Sequence, residues 1–304
     1  MKPRPSLKAK RLSPLRYPGG KHFLAPYVAS VIEENFLTGC TLYEPFAGGA
    51  AVSLELLRLE YIDRAVLIER DPLVYAFWHC VKHELDSLCG AVESANVTIE
   101  TWHELQPVRN INNLIDCNFT LLQLGVAGLF FNRTNFSGVL GAGPIGGVSQ
   151  KSEYKIDCRF NKRAIIQGLR DLEPLSHAIE PSFGDALSWL AQIKPGELSS
   201  NAFVYVDPPY FVQGPKLYRH YFNDAQHAAL AKSLTDATYP WLLSYDDAPQ
   251  IKDLYSQSHV QPIYLDYRAK SSRLAKEIMI SNLMIPPPVY EGISLTQEMA
   301  YAAT

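Results

Sequence analysis

Two parts of the chain alternate short apolar runs with amphipathic stretches of helical length. The first reads Cys40–Tyr43, a helical Ala50–Glu60, then Ala65–Ile68. The second begins near residue 179 and continues through Ala202–Val206, a helical Ala225–Leu234, Trp241–Ser244, Ile263–Leu265 and Ile278–Ile280. Buried runs of this length separated by helices predict βαβ units on a mostly parallel sheet. Between about residues 75 and 175 the rhythm is lost. Trp78–Glu104 reads as helical and acidic, Gly138, Gly141, Gly143, Gly146 and Gly147 crowd the next stretch, and a basic segment follows. The pattern predicts an α/β sheet split by an inserted, loop-rich module, with no internal repeat.

Composition narrows the class. A chain of 304 residues that is 47% hydrophobic and 19% charged is long enough for a large core, which excludes disorder, collagen and coiled coil. The net charge of −3 excludes binding to nucleic acid or membrane through bulk positive charge. The distribution is uneven. Residues 1–30 carry seven basic and no acidic side chains, residues 31–104 carry four basic and thirteen acidic ones, and residues 151–170 carry six basic ones against Glu153 and Asp157. No signal-length apolar run follows the basic start, and the longest apolar stretch, Leu121–Phe131, falls short of a membrane span. Five scattered cysteines with no C-x-x-C pair argue for reduced thiols, without a disulfide framework or a metal site. The expectation is a soluble cytoplasmic protein.

The sharpest chemical signal is Val204-Tyr205-Val206-Asp207-Pro208-Pro209-Tyr210. A strand ending in Asp207 places a carboxylate at the edge where open α/β sheets bind ligands. Pro208 and Pro209 fix the backbone and leave carbonyl acceptors, and Tyr210 offers a ring. The set suits a planar base with an exocyclic amine, whose two N–H groups Asp207 and the Pro208 carbonyl would accept. The alternative is a strand-terminating turn.

Glu44-Pro45-Phe46-Ala47-Gly48-Gly49 reads as a strand running into a glycine turn before a helix, a place for close ligand approach. It lacks G-x-G-x-x-G. Glu69, 21 positions after Gly48, ends the next strand where a carboxylate would take ribose hydroxyls, or is a solvated strand end. Asp185 is either an acceptor for an adenine amine, with Phe183 against the ring, or a helix N-cap. Tyr17-Pro18-Gly19-Gly20-Lys21 has Gly-Gly-Lys without phosphate-loop spacing, so it reads as a cation and ring beside a ligand or as a basic tail. In the middle module Asn132, Arg133, Phe136 and Ser137, with Lys151 and Lys155 nearby, suit contacts to phosphates and base edges, or Phe130, Phe131 and Phe136 are core and Arg133 caps a loop. At least two of the three rings are expected in the core.

In this order the motifs resemble the Dam-like family of DNA adenine-N6 methyltransferases. The resemblance runs from Tyr17-Pro-Gly-Gly-Lys21 through Glu44-Pro-Phe-Ala-Gly-Gly49, Glu69, Asn132-Arg133, Gly184-Asp185 and Asp207-Pro-Pro-Tyr210 to Leu243-Ser244 and Glu277–Asn282. It implies a Rossmann-like, seven-stranded methyltransferase sheet with an inserted, mainly helical target-recognition module. Residues 1–74 and 176–304 would form the catalytic domain and 75–175 the DNA module. It also implies S-adenosylmethionine as methyl donor, held by Tyr17, Lys21, Glu44, Phe46, Gly48, Glu69, Asp185 and Asp207. Asp207, Pro208, Pro209 and Tyr210 would form the catalytic loop for a flipped adenine in duplex DNA, and a cognate restriction endonuclease is a compatible partner. Members that read GATC tend to continue Asn-Gly-Leu and soon Arg after the Asn-Arg pair. Here Ser137-Gly138-Val139-Leu140-Gly141 stands, so GATC is not expected. Competing readings are cytosine-N4 methylation, a nicotinamide oxidoreductase (disfavoured by the absent G-x-G-x-x-G) and a catalytically silent DNA-binding regulator.

Overall fold

The computed structural model describes residues 11–17, 20–115, 117–211, 221–269, 271–287 and 293–294. Pro18 and Gly19 of the first motif, and the basic Lys2, Arg4, Lys8 and Lys10, lie outside the described residues. Strands β1 (Cys40–Glu44), β2 (Ile62–Glu69), β3 (Ile179–Phe183), β4 (Ala202–Val206), β5 (Trp241–Asp246), β6 (His259–Ala269) and β7 (Ser271–Ser281) form one sheet in the order β3-β2-β1-β4-β5-β7-β6. β1 to β5 run parallel, and β7 lies antiparallel between β5 and β6. The seven-stranded sheet implied by the resemblance is present. A two-residue strand, β8 (Ile293–Ser294), extends it at the β6 edge.

The helices are α1 (Ala25–Glu34), α2 (Ala51–Arg58), α3 (Pro72–His83), α4 (Leu85–Ser94), α5 (Ile99–Glu104), α6 (Gln106–Arg109), α7 (Leu121–Thr134), α8 (Lys162–Arg170), α9 (Ala186–Gln192), α10 (Asp224–Thr235) and α11 (Pro249–Leu254). β4 is buried along its whole length because helices cover both faces of the sheet. Its alternate residues divide accordingly. Phe203 and Tyr205 join Leu42, Leu67, Leu242 and Met279 against the layer of α1, α2 and α3. Val204 and Val206 join Leu243, Ile278 and Ile280 against α9, α10 and α11.

The segment between β2 and β3 holds helices and turns, with Asn135–Pro144 as a single isolated bridge among the described residues. The expected boundary at residue 75 needs correction. It falls inside α3, which packs on β2 and β3 and belongs to the sheet's helical layer. The chain leaves the sheet after His83. It does not leave the core: Phe130, Phe131, Ile156 and Leu169 share one apolar cluster with the sheet.

α7 lies directly on α3 because two of its residues have no side chain. A Cβ on Gly125 would come within 2.8 Å of the Ala76 carbonyl oxygen, and one on Gly128 within 2.7 Å of that of Leu73. Backbone cannot yield as a flexible side chain can. Gly128→Ala is therefore expected to cost about 1–3 kcal/mol by overpacking. Gly90→Ala, in α4 with open space around it, is expected to gain about 0.5–1 kcal/mol. Urea midpoints of the two variants read both signs.

At the sheet's carboxyl edge the strand order reverses between β1 and β4, which is where such sheets hold ligands. Glu44, Glu69 and Asp246 end their strands there, and Asp207 and Asp185 follow within two residues of theirs. Among the described residues no helix is long and apolar enough to cross a membrane.

Candidate active site

The site is built around Asp207. Val206 is buried, and the chain then turns through Pro208 and Pro209, so Asp207 is the first group of β4 to reach the edge, its side chain 24% exposed. Lys21 meets it from the N-terminal segment. The Lys21 ammonium lies 2.6 Å from Asp207 Oδ1, 3.3 Å from Glu277 Oε2 and 3.1 Å from Ser244 Oγ. Ser244 Oγ also donates to Asp207 Oδ1 at 2.9 Å. No hydrogen bond among the described residues engages Asp207 Oδ2.

Tyr210 is tied into the same group. Its hydroxyl donates to Glu277 Oε2 at 2.6 Å and accepts from Lys21, whose ammonium also lies 4.3 Å from the ring centroid. Tyr245 lies against the Tyr210 ring at 6.1 Å, and Phe211 N donates to Asp246 at 2.9 Å. Burial alone would pull the Lys21 pKa down. The Asp207 and Glu277 carboxylates outweigh it and hold the ammonium above its ordinary value.

Beside this group lies the glycine turn. Gly48 has φ +45° and Ala50 φ +47°, a left-handed bend that lets the chain leave β1 and start α2. The Tyr17 ring lies on it so closely that a Cβ on Gly48 would come within 2.8 Å of the ring. Trp78 Nε1 donates to the Gly48 carbonyl at 2.8 Å. Glu69 binds the turn through Oε2, which accepts from Gly48 N at 2.9 Å, while Oε1 accepts from Asp71 N at 2.8 Å. Glu44 accepts from Ser53 of α2. Phe46 packs edge-on against Phe222. Burial, with the nearby Asp207 charge, pushes the Glu44 carboxyl up to about 8. Burial, with the Asp71 charge, pushes Glu69 up to about 7.

Asp185 is the N-cap of α9. Its Oδ1 accepts from Ser188 N and Oγ, both at 3.0 Å, and Oδ2 lies 3.4 Å from Arg70. Phe183 lies against Tyr75.

The structure corrects the reading of Asn132 as a base-edge contact. Asn132 is 1% exposed and spends its amide inside the protein, accepting from Arg16 N and donating to the carbonyls of Arg16 and Gly138. Arg133 donates to the Pro14 carbonyl and is held down to about 10 by burial and the nearby Arg16 charge. Phe130 and Phe131 are core and Phe136 is 71% exposed. Ser137 is in the left-handed region with φ +55°. Lys151 is exposed, and Lys155 donates to the Gln150 carbonyl at 2.6 Å. Val148 and Tyr154 are exposed on the same stretch as Phe136.

Sequence reading passed over Glu277 and Ser244 as members of the site. A glutamate in the otherwise apolar run Glu277-Ile-Met-Ile was the available signal, since a buried carboxylate needs a partner.

The sequence matches the family described as D12 class N6 adenine-specific DNA methyltransferase over residues 17–268. No curated protein matches it. Among solved structures, yhhF of Escherichia coli, described as a candidate methyltransferase, is 14% identical, with 84% of this chain and 86% of that one covered and a TM-score of 0.32. A candidate RNA methyltransferase from Pyrococcus horikoshii is 9% identical, with 92% and 93% covered and a TM-score of 0.37. The family match takes in the described strands β1 to β5, the inserted segment and the Asp207 loop, and on it the chain belongs to the D12 class of N6 adenine-specific DNA methyltransferases.

Proposed function

We propose that the chain transfers a methyl group from S-adenosylmethionine to N6 of an adenine flipped out of duplex DNA, with Asp207 as the central catalytic residue. The observation that carries this is the state of Asp207 at the sheet's carboxyl edge: Oδ1 is fixed by Lys21 and Ser244, and Oδ2 has no hydrogen-bond partner among the described residues. The residues fit the donor. The Tyr17 ring closes over the glycine turn and offers an aromatic wall, and buried Glu44 and Glu69 offer acceptors for a cationic, hydroxyl-rich molecule. When bound, S-adenosylmethionine supplies an electrophilic methyl carbon on a positively charged sulfur.

Tyr17, Lys21, Glu44, Phe46, Gly48 and Glu69 hold the donor, with Asp185 at the pocket rim. Asp207 Oδ2 and the Pro208 carbonyl accept the two hydrogens of the adenine amine, which turns the nitrogen lone pair outward. Asp207 then stabilises the positive charge that builds on nitrogen, and the proton that the methylated amine must shed leaves through Asp207 Oδ2 to solvent. Pro209 fixes the loop, and Tyr210 stacks on the extruded base. Extrusion costs a few kcal/mol, roughly what stacking and the two hydrogen bonds return. The segment after His83 contacts DNA through exposed Phe136, Ser137, Lys151 and Lys155, with Arg133 near the surface; Asn132 is excluded by its burial. A chain acting on DNA with five free cysteines fits the cytoplasm, and a restriction endonuclease fits as a partner.

Mass spectrometry of nucleosides digested from DNA treated with the protein and labelled donor tests the reaction. N6-methyladenine is the expected product. N4-methylcytosine would favour the competing chemistry, and no labelled base would favour a silent regulator.

The raised carboxyls give the donor step a pH signature. A cationic donor favours ionised Glu44 and Glu69, so binding at pH 7 releases protons. Affinity rises from pH 6 toward 8, by up to about tenfold per pH unit for each proton released. Stability of the free protein runs oppositely: carboxyls raised by folding contribute most below their unfolded values, and the contribution is lost as pH climbs through about 7 and 8. Titration calorimetry in buffers of different ionisation enthalpy measures the release, and a heat independent of buffer would contradict it.

A further inference from the structure

Asn132 lies in the inserted segment, yet two of its three side-chain hydrogen bonds go to Arg16, in the strap that carries Tyr17 and Lys21. Its Oδ1 accepts from Arg16 N at 2.7 Å and its Nδ2 donates to Arg16 O at 2.8 Å, so the side-chain amide pairs with both backbone groups of one residue as a neighbouring strand would. The second Nδ2 hydrogen reaches Gly138 O at 2.9 Å. The opposite wall is equally close: a Cβ on Gly138 would come within 2.3 Å of Arg16 O, which only a residue without a side chain permits.

The socket is stiff. Asn135, wholly buried, accepts from Trp102 Nε1 at 2.7 Å and donates to Leu140 O at 2.8 Å, which fixes the loop that supplies Gly138. Arg133, next to Asn132, clamps Pro14 two residues before Arg16. From this fixed point the chain continues into Tyr17, whose ring covers the glycine turn, and reaches Lys21 in the carboxylate group.

We propose that Asn132 is a positioning residue for the donor side of the site, setting Tyr17 and Lys21 by pairing with the Arg16 backbone. The inference rests on the reading that Tyr17 and Lys21 touch the donor. Residues within the inserted segment therefore govern donor affinity as well as any contact with DNA. Loss of the pairing frees the strap, while the bonds of Asn135 to Trp102 and Leu140 still hold the loop that carries Phe136 and Ser137.

The test uses the full chain and compares Asn132→Ala, Asn132→Asp, Gly138→Ala, Tyr17→Ala and, as a control for destabilisation alone, Leu124→Ala in α7. Calorimetric titration with S-adenosylhomocysteine reads donor-site affinity, fluorescence anisotropy with a labelled duplex reads DNA affinity, and thermal melting reads stability. Asn132→Ala is expected to weaken donor-site binding about tenfold or more while DNA affinity stays within about twofold. In steady state the donor KM rises and kcat at saturating donor changes little. Leu124→Ala lowers Tm at least as much without moving donor affinity. Asn132→Asp keeps the acceptor for Arg16 N and loses both donors, and Gly138→Ala presses on Arg16 from the other side, so either reads the same effect if the alanine variant does not fold. Donor affinity unchanged in the Asn132 and Gly138 variants while Tyr17→Ala weakens it would overturn the inference. Donor affinity unchanged in Tyr17→Ala would instead overturn the reading of Tyr17. DNA affinity lost with donor affinity kept would return Asn132 to the DNA surface.

Discussion

Asp207→Ala is expected to reduce methyl transfer to DNA by roughly 10³-fold or more while the protein still folds. The activity half follows from geometry: with Oδ2 gone, the adenine amine loses its charged acceptor, and the remaining Pro208 carbonyl cannot orient both hydrogens. The stability half follows from what stays behind. Lys21 would be left buried, but Glu277 remains 3.3 Å from its ammonium and Ser244 Oγ 3.1 Å away, so the charge is still paired. Asp207 itself is partly exposed and its removal opens no sealed cavity. Labelled-methyl transfer, thermal melting and donor titration on the same preparation check the three parts. A variant that transferred methyl groups at the normal rate would remove Asp207 from the mechanism. A variant that failed to fold would show that Glu277 alone cannot hold Lys21.

What could be read in the sequence was local in period. β4 and the Asp207 loop were legible because an all-apolar run ended in a carboxylate and two prolines. β1, its glycine turn and β2 were legible because strand and helix periods alternate cleanly. Partnerships across the sheet were not. Lys21 and Glu277 stand at opposite ends of the chain, and only the β5–β7 pairing, which sets Asp246 beside Glu277, brings the latter to the edge. Asn132 was misread because amides interleaved with aromatics suit a nucleic-acid surface. The overlooked signal was Gly125 and Gly128 inside an apolar helix, the mark of a helix packed closely on a neighbour. Such a helix buries its polar residues too, and they then bind backbone. The boundary at residue 75 failed for a related reason, since α3 serves both the sheet and α7.

Lys21→Met is expected to damage stability and activity together. The ammonium is the cation shared by Asp207 and Glu277, and Glu277 is 3% exposed. Removing one partner from a buried ionic group costs about 3–5 kcal/mol, because the charge left behind lacks both water and a counter-ion. The pH dependence separates this from loss of packing. In the wild-type protein Lys21 has a raised pKa, so its contribution is fully present below the ordinary lysine value of about 10.4 and is lost as pH rises through the higher folded value. In Lys21→Met that alkaline loss disappears. A deficit at neutral pH takes its place and shrinks on acidification, as Glu277 takes up a proton. Adding Glu277→Gln to Lys21→Met removes the uncompensated charge and is expected to return most of the stability. It does not return activity, since Asp207 Oδ1 is still without its cation, and misplacing Oδ2 by about 1 Å is enough to cost roughly 10²-fold. Urea denaturation of wild type and both variants from pH 5 to about 12, with methyl transfer measured alongside at neutral pH, resolves the two effects. A single variant as stable as wild type at pH 7, with the same alkaline profile, would show that Lys21 is not the counter-ion of this group.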